Sequence, residues 1–173
     1  MGISVEICFG EDGWPLAEAL DHECYPPDVM ATTVWRDVTW AHADTRILVR
    51  EADKAICHVG LYFRNGKDGE APRAIGGIGA VMTSPRVRGR GHAGRAMRLA
   101  ADMMQCQGCD FGLLFCEPHT VAFYERLGWL VFDGHVYCEQ PSGRIRFDMM
   151  HAMILPLRCS PRSQAIDLCG LPW

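Results

Sequence analysis

From Thr83 to Gly94 the chain reads Thr-Ser-Pro-Arg-Val-Arg-Gly-Arg-Gly-His-Ala-Gly, between a strand-like apolar run and an amphipathic helical one. Glycines at 89, 91 and 94 let the backbone approach a bulky group closely and adopt positive φ where a tight loop needs it. Free N–H groups at the start of a helix, reinforced by the helix dipole, form a site for an anion such as a diphosphate. Arg86, Arg88 and Arg90 stand beside that site, and guanidinium forks match phosphate oxygens. A Walker loop would require Gly-Lys-Ser/Thr, which is absent. Gly89, Gly91 and Gly94 do satisfy the dinucleotide pattern G-x-G-x-x-G. They lie in mid-chain, however, and no acidic residue ends a strand about twenty residues further on. Taken alone, the stretch is also compatible with a glycine-rich turn carrying solvated arginines.

The elements that must position this loop follow from periodicity and turn chemistry. Residues 3–9 alternate as a strand, and residues 15–24 form a helix opened by Pro15 and broken by Tyr25-Pro26-Pro27-Asp28. Residues 29–43, with Trp35 and Trp40, show no clear period; a short helix is expected among them. Residues 45–51 and 55–64 form a hairpin, with a turn over Asn65–Gly69. Residues 73–83 form a strand interrupted by Gly76, Gly77 and Gly79. Ala93, Ala96, Met97, Ala100, Met103 and Met104 recur at helical spacing over 92–107, and Gly108 ends that helix. The fully apolar run 111–116 suits a buried strand of the kind found in parallel pairing, followed by a helix over 118–127. Strands are expected at 129–138 and 151–158, with a turn near Pro141-Ser142-Gly143. The fold class is α/β (α+β): a mixed sheet with helices on its faces, in one domain spanning 1–173.

Composition narrows the function classes. The chain has 173 residues, 49% hydrophobic and 22% charged, as ordinary globular domains do. No apolar run approaches the ~20 residues that cross a bilayer, and the first residues have no secretory signal pattern. Gly2 is followed by Glu6 where a myristoylation motif needs Ser or Thr. A net charge of −4 argues against nucleic-acid binding. Nine cysteines, an odd number in mostly apolar settings, read as free thiols in a reducing cytosol, so the expected location is cytoplasmic. Cys106 and Cys109 form a C-x-x-C without a second pair, and the seven histidines form no ligand pattern, so no metal site is expected.

Two segments together resemble a known superfamily. Arg86-Val87-Arg88-Gly89-Arg90-Gly91 resembles the acyl-CoA loop of the GCN5-related N-acetyltransferases (GNAT), whose pattern is Gln/Arg-x-x-Gly-x-Gly/Ala. Ala122-Phe123-Tyr124-Glu125-Arg126-Leu127-Gly128-Trp129 resembles their second signature, a helix that carries Tyr and ends in Gly-Phe/Trp. The resemblance implies a mixed, mostly antiparallel twisted sheet of about seven strands flanked by about four helices. Within the superfamily the chain is most similar to the aminoglycoside 2′-N-acetyltransferases, through Ala55–Arg64, Val87–Gly89, Leu113–Cys116, Phe123–Trp129, Ala152–Leu157 and Trp173. The rhizobial acyltransferases that acylate chitooligosaccharides share the His58-x-Gly-Leu feature and the loop.

The resemblance implies acetyl-CoA as co-substrate and direct attack of an amine on its thioester. Backbone groups of Val81, Met82 and Thr83 would pair with the pantetheine arm, and N–H groups of Arg88, Gly89, Arg90, Gly91, His92 and Ala93 would hold the diphosphate. Tyr124 would protonate the departing thiolate. Gly79 stands where relatives carry a Glu base, which leaves Glu117 and the Trp173 carboxylate as substitutes. Asp148 would meet an antibiotic's amines, while Leu171 replaces a second acid of the relatives. A less cationic amino-sugar antibiotic such as kasugamycin would suit that pocket, with resistance as the outcome and a homodimer as the family's habit. Asp37 is a further candidate for the site or a surface charge. Two alternatives stay open: another small-molecule or protein amine as acceptor, and a non-catalytic acyl-CoA-binding domain.

Overall fold

A computed structural model describes residues 2–173. The alternating residues of β1 (Ile3–Phe9) pair with the apolar β2 (Thr45–Glu51), which turns through Ala52-Asp53 into β3 (Lys54–Asp68). β3 in turn pairs with β4 (Ala71–Thr83), and all three pairings are antiparallel. The hairpin expected over 45–64 is present, but β3 runs straight through the turn expected at 65–69. Asn65, Gly66, Lys67 and Asp68 pair with Ala74, Arg73, Pro72 and Ala71. The buried Asp68 carboxylate also accepts the backbone N–H groups of Arg162 and Ser163, each at 2.8 Å. Cross-strand and long-range partners outweigh the local turn preference here.

Helices cover both faces. α1 (Trp14–Cys24) buries Ala17 and Leu20 against Leu48 and Met82. The short helix expected within 29–43 is not formed: α2 (Pro27–Met30) begins instead inside the expected Pro26-Pro27-Asp28 break, with Pro27 at its first turn, and residues 31–43 are irregular. After β4, a single 3₁₀ turn (Pro85–Val87) leads into α3 (His92–Cys106), whose stripe of Ala96, Met97, Ala100 and Met104 packs onto the opposite face of β2–β4. β5 (Phe111–Cys116) then lies parallel to β4. The helix expected over 118–127 is a 3₁₀ turn (Pro118–Thr120) followed by the short α4 (Val121–Glu125).

The strand expected over 129–138 is split at Asp133-Gly134. β6 (Leu130–Val131) joins β9 (His151–Pro156), whereas β7 (His135–Gln140) joins β8 (Gly143–Arg146) and β10 (Ala165–Asp167). The sheet therefore has ten strands, in the order β6-β9-β5-β4-β3-β10-β7-β8, with β2 and β1 continuing from the first half of the long β3. β4–β5 and β10–β7 are parallel and the other pairs antiparallel. No described helix is long and apolar enough to cross a membrane. All nine cysteines are free thiols, Cys106 exposed and Cys109 buried.

The glycines of β4 do not interrupt the strand. Trp173 lies across it, 3% exposed, with its indole N–H donated to the Leu113 carbonyl at 2.9 Å and its ring stacked on Tyr62 at 5.8 Å. A Cβ at Gly77 would stand 2.3 Å from that indole, and one at Gly79 would stand 2.7 Å from the main-chain carbon of Trp173. Both positions need glycine because another group occupies the space. Gly77→Ala should therefore displace the rigid indole and cost about 1–3 kcal/mol, as overpacking does. Urea unfolding followed by tryptophan fluorescence checks this; an unchanged midpoint would show that Trp173 does not hold that slot.

Candidate active site

The site begins where β4 leaves β5. Their parallel pairing covers only Ile75–Ile78 against Phe111–Leu114, yet β4 stays paired with β3 as far as Thr83 opposite Cys57. On the β3 side, His58 faces Met82 and Gly60 faces Gly79, so the single residue Val59 lies opposite both Ala80 and Val81. That is a β-bulge, which bends and re-aims its strand. Ala80 carries it at φ +47°, in a region that non-glycine residues seldom occupy. From the gap opens a cleft of about 1370 Å³. Ligand pockets usually run to ~300–1,000 Å³, so this one has room for two substrates.

One end of the cleft is an anion cradle. Gly89 and Gly91 take φ of 78° and 82°, and Gly91 caps α3 without a side-chain hydrogen bond. The first helical bond runs from Arg95 N–H to the Gly91 carbonyl at 3.1 Å, which leaves the N–H groups of His92, Ala93 and Gly94 without helical acceptors. Arg88, Gly89, Gly91, His92 and Ala93 all line the cleft. Arg90 does not, and its N–H is donated to the Val87 carbonyl at 3.4 Å. The Arg88 side chain donates through Nε to the Thr83 carbonyl at 3.1 Å, tying the loop to the end of β4.

Tyr124 projects from α4 into the same cleft and is 7% exposed. Burial, with Cys116, Tyr25 and Cys57 close by, pushes its phenol well above the usual tyrosine range, so it keeps its proton at any physiological pH. Tyr25 is likewise pushed up to about 12, chiefly by burial. Glu117, at the end of β5, accepts the Trp35 indole N–H at 3.2 Å and meets His119 at 3.3 Å. Trp35 sits edge-on to both Tyr25 and Trp40, which makes one wall aromatic.

At the other end, Glu11, Trp14, His42, Arg46, Tyr62 and Trp173 close the cleft. Glu11 is paired with Arg46 at 3.2 Å and with His42 at 3.1 Å. Val81, Met82, Thr83, Glu117, Tyr124 and Trp173 all line this one cleft. Asp148 is not among them. Its carboxylate accepts two hydrogen bonds from Arg146, at 2.7 and 3.2 Å, and is 60% exposed away from the cleft. Local pairing two residues apart on the β8–β9 connection explains that placement. Asp37 is a surface charge, paired with Arg36 and 90% exposed. The Leu171 carbonyl accepts from Arg64.

The sequence profile of the acetyltransferase (GNAT) family matches residues 14–129, two-thirds of the chain and both halves of the cleft. The chain belongs to the GNAT acetyltransferase family. Among curated proteins, no sequence matches it. Solved GNAT structures share its fold. Escherichia coli YhbS in complex with CoA superposes with a TM-score of 0.65 at 15% identity, over 96% of this chain and 89% of that one. The Escherichia coli ribosomal-protein-S18-alanine N-acetyltransferase gives 0.60 at 13% identity, over 93% and 97%. A Brucella melitensis GNAT acetyltransferase in complex with acetyl-CoA gives 0.54 at 15%, over 76% and 84%.

Sequence reasoning passed over the polar groups behind this GNAT cleft. His58 is fully buried, and burial lowers its pKa from 6.5 to about 4. A lone histidine inside an apolar strand gives no hint of which carbonyl it meets. Because the unfolded chain binds a proton at pH 6.5 and the folded chain resists it until about pH 4, stability is full above 6.5 and falls as pH drops through that window. The difference is worth on the order of 3 kcal/mol for a shift of this size. Urea midpoints of the native protein and of His58→Asn, compared at pH 7.5 and 4.5, should show the larger loss in the native protein. Equal losses would mean that His58 does not carry this dependence.

Proposed function

We propose that this GNAT chain transfers an acetyl group from acetyl-CoA directly to a primary amine, with both substrates in the one cleft. The observation that carries the reading is that the gap between β4 and β5, the open N-terminus of α3 and Tyr124 all line the same cavity. The residues present fit the coenzyme. Free N–H groups at His92, Ala93 and Gly94 and the two positive-φ glycines suit a diphosphate, and the β4 edge from Gly79 to Thr83, unpaired on its β5 side, suits an amide-bearing arm.

Bound acetyl-CoA would supply the acetyl thioester. Arg88, Gly89, Gly91, His92 and Ala93 hold the phosphates, while Val81, Met82 and Thr83 hold the arm through their backbone groups. The Val81 N–H, set by the bulge, stabilises the charge that develops on the acetyl oxygen, a contribution that can reach ~3–4 kcal/mol. Tyr124 delivers its proton to the departing thiolate, the phenol being protonated at neutral pH. Glu117, oriented by Trp35 and His119, receives a proton from the ammonium of the acceptor through water.

For the acceptor, the proposal is a weakly cationic amino sugar of the aminoglycoside type, with kasugamycin as the example, whose acetylation would confer resistance. Asp148 is outside the cleft, and Glu11 and Glu117 within it are already engaged, by Arg46 and His42 and by Trp35 and His119, so fewer acids are left to meet a polycation. The aromatic wall of Tyr25, Trp35 and Trp40 suits the apolar faces of sugar rings.

Acetyl-CoA should raise the melting temperature, and turnover should be measurable with kasugamycin and poor with gentamicin and tobramycin. Rapid turnover of the last two with none of the first would overturn the acceptor. Tyr124→Phe should lower kcat by about 10²-fold while leaving acetyl-CoA affinity within about twofold. A native protein that binds acetyl-CoA and acetylates no amine would instead be a binding domain.

A further inference from the structure

Behind the bulge lies a buried chain of polar groups that takes no part in the steps above. His58 is 0% exposed and Arg46 4% exposed, a depth at which polar side chains persist only with partners. The His58 Nδ1 lies 2.7 Å from the Ala80 carbonyl, and its Nε2 lies 3.3 Å from an Arg46 terminal nitrogen. A carbonyl only accepts and a guanidinium only donates. The ring is therefore neutral, with its proton on Nδ1 and its Nε2 lone pair facing Arg46. Arg46 is held in turn by the Gly10 carbonyl at 3.2 Å, by Glu11 at 3.2 Å and over the Trp14 ring at 5.0 Å.

The bulge needs such a partner. Val59 faces two residues of β4, so the ladder skips there, and the Ala80 carbonyl turns to an imidazole instead of a β3 amide. The backbone at Ala80 is also strained, and strained backbone persists only where its surroundings over-determine it. The next residue in the chain is Val81.

We propose that His58 is a positioning residue for acetyl transfer: its Nδ1–H holds the Ala80 carbonyl and thereby the bulge that sets the Val81 N–H, with Arg46 locking the ring. This rests on the acetyl-transfer reading for its consequence, and on geometry alone for its first half. Arg46 and Trp14 also line the cleft, so part of its wall and the proposed donor to the acetyl oxygen share one hydrogen-bonded support.

Three proteins test it: native, His58→Leu and His58→Asn. Asparagine places an amide nitrogen at the same bond count from Cβ as Nδ1 and can donate to Ala80, whereas leucine cannot. In the substrate-free protein, exchange of the Met82 amide, which pairs opposite His58 beside the bulge, should be about tenfold faster in His58→Leu and within about threefold of native in His58→Asn, with Ile75–Ile78 unchanged. In turnover, His58→Leu should lose about 10–100-fold in kcat with KM for acetyl-CoA within about threefold, and His58→Asn should recover most of the loss. Exchange that quickens along all of β4 equally, native kcat in His58→Leu, or His58→Asn no better than leucine would each overturn the proposal. If His58→Leu does not fold, Arg46→Met, which frees the ring and leaves His58 in place, should show the same pattern at smaller size; native exchange at Met82 in that variant would overturn it too. A native protein without transferase activity would remove the function proposed above, while the exchange measurement would still decide whether His58 holds the bulge.

Discussion

A strand can stay paired on one side and part from its neighbour on the other only if the surplus backbone is absorbed somewhere, and in β4 that place is Ala80. The bulge there lets β4 follow β3 to Thr83 while β5 diverges after Leu114. Unpaired backbone groups are costly when buried dry, but at the edge of an open cleft they are free for a ligand. Because β3 supports the other edge, those groups are fixed ahead of any ligand's arrival. Pre-set donors need little reorganisation as charge develops, which is why such an opening suits acyl transfer.

The charges around the cleft follow the same logic. Glu11 is answered by Arg46 and His42, Glu117 by Trp35 and His119, and Arg88 by the Thr83 carbonyl. The N–H groups at the start of α3 have no such answer among the described residues, so that end stays receptive to an anion. Tyr124 sits between these regions with its phenol kept protonated by burial, the state a proton donor requires.

Trp173 gives a physical reason for the glycine at position 79. A side chain there would collide with the main chain of Trp173, so the glycine and the seating of the tryptophan are one packing decision. An acidic side chain has no room at that point of β4, whereas Glu117 lines the cleft from the end of β5.

Local features were legible in the order of residues alone: the glycine-rich loop, the helix over 92–107, the hairpin over 45–64 and the Tyr124 segment. Each depends on a period or on turn chemistry within a few residues, which neighbouring side chains alone determine. Other features depend on partners far along the chain. β3 outruns its expected turn because Asp68 is claimed by Arg162 and Ser163, and the strand expected over 129–138 splits because β9 and β10 take separate halves. Asp148 turned to Arg146 instead of the cleft, and His58 found the Ala80 carbonyl on the neighbouring strand, 22 residues away. Side-chain type and spacing thus determined which chemistry the loop could support. Only tertiary packing decided where β4 would bulge and which acids would face the substrates, because those outcomes are competitions between contacts that no short window of sequence contains.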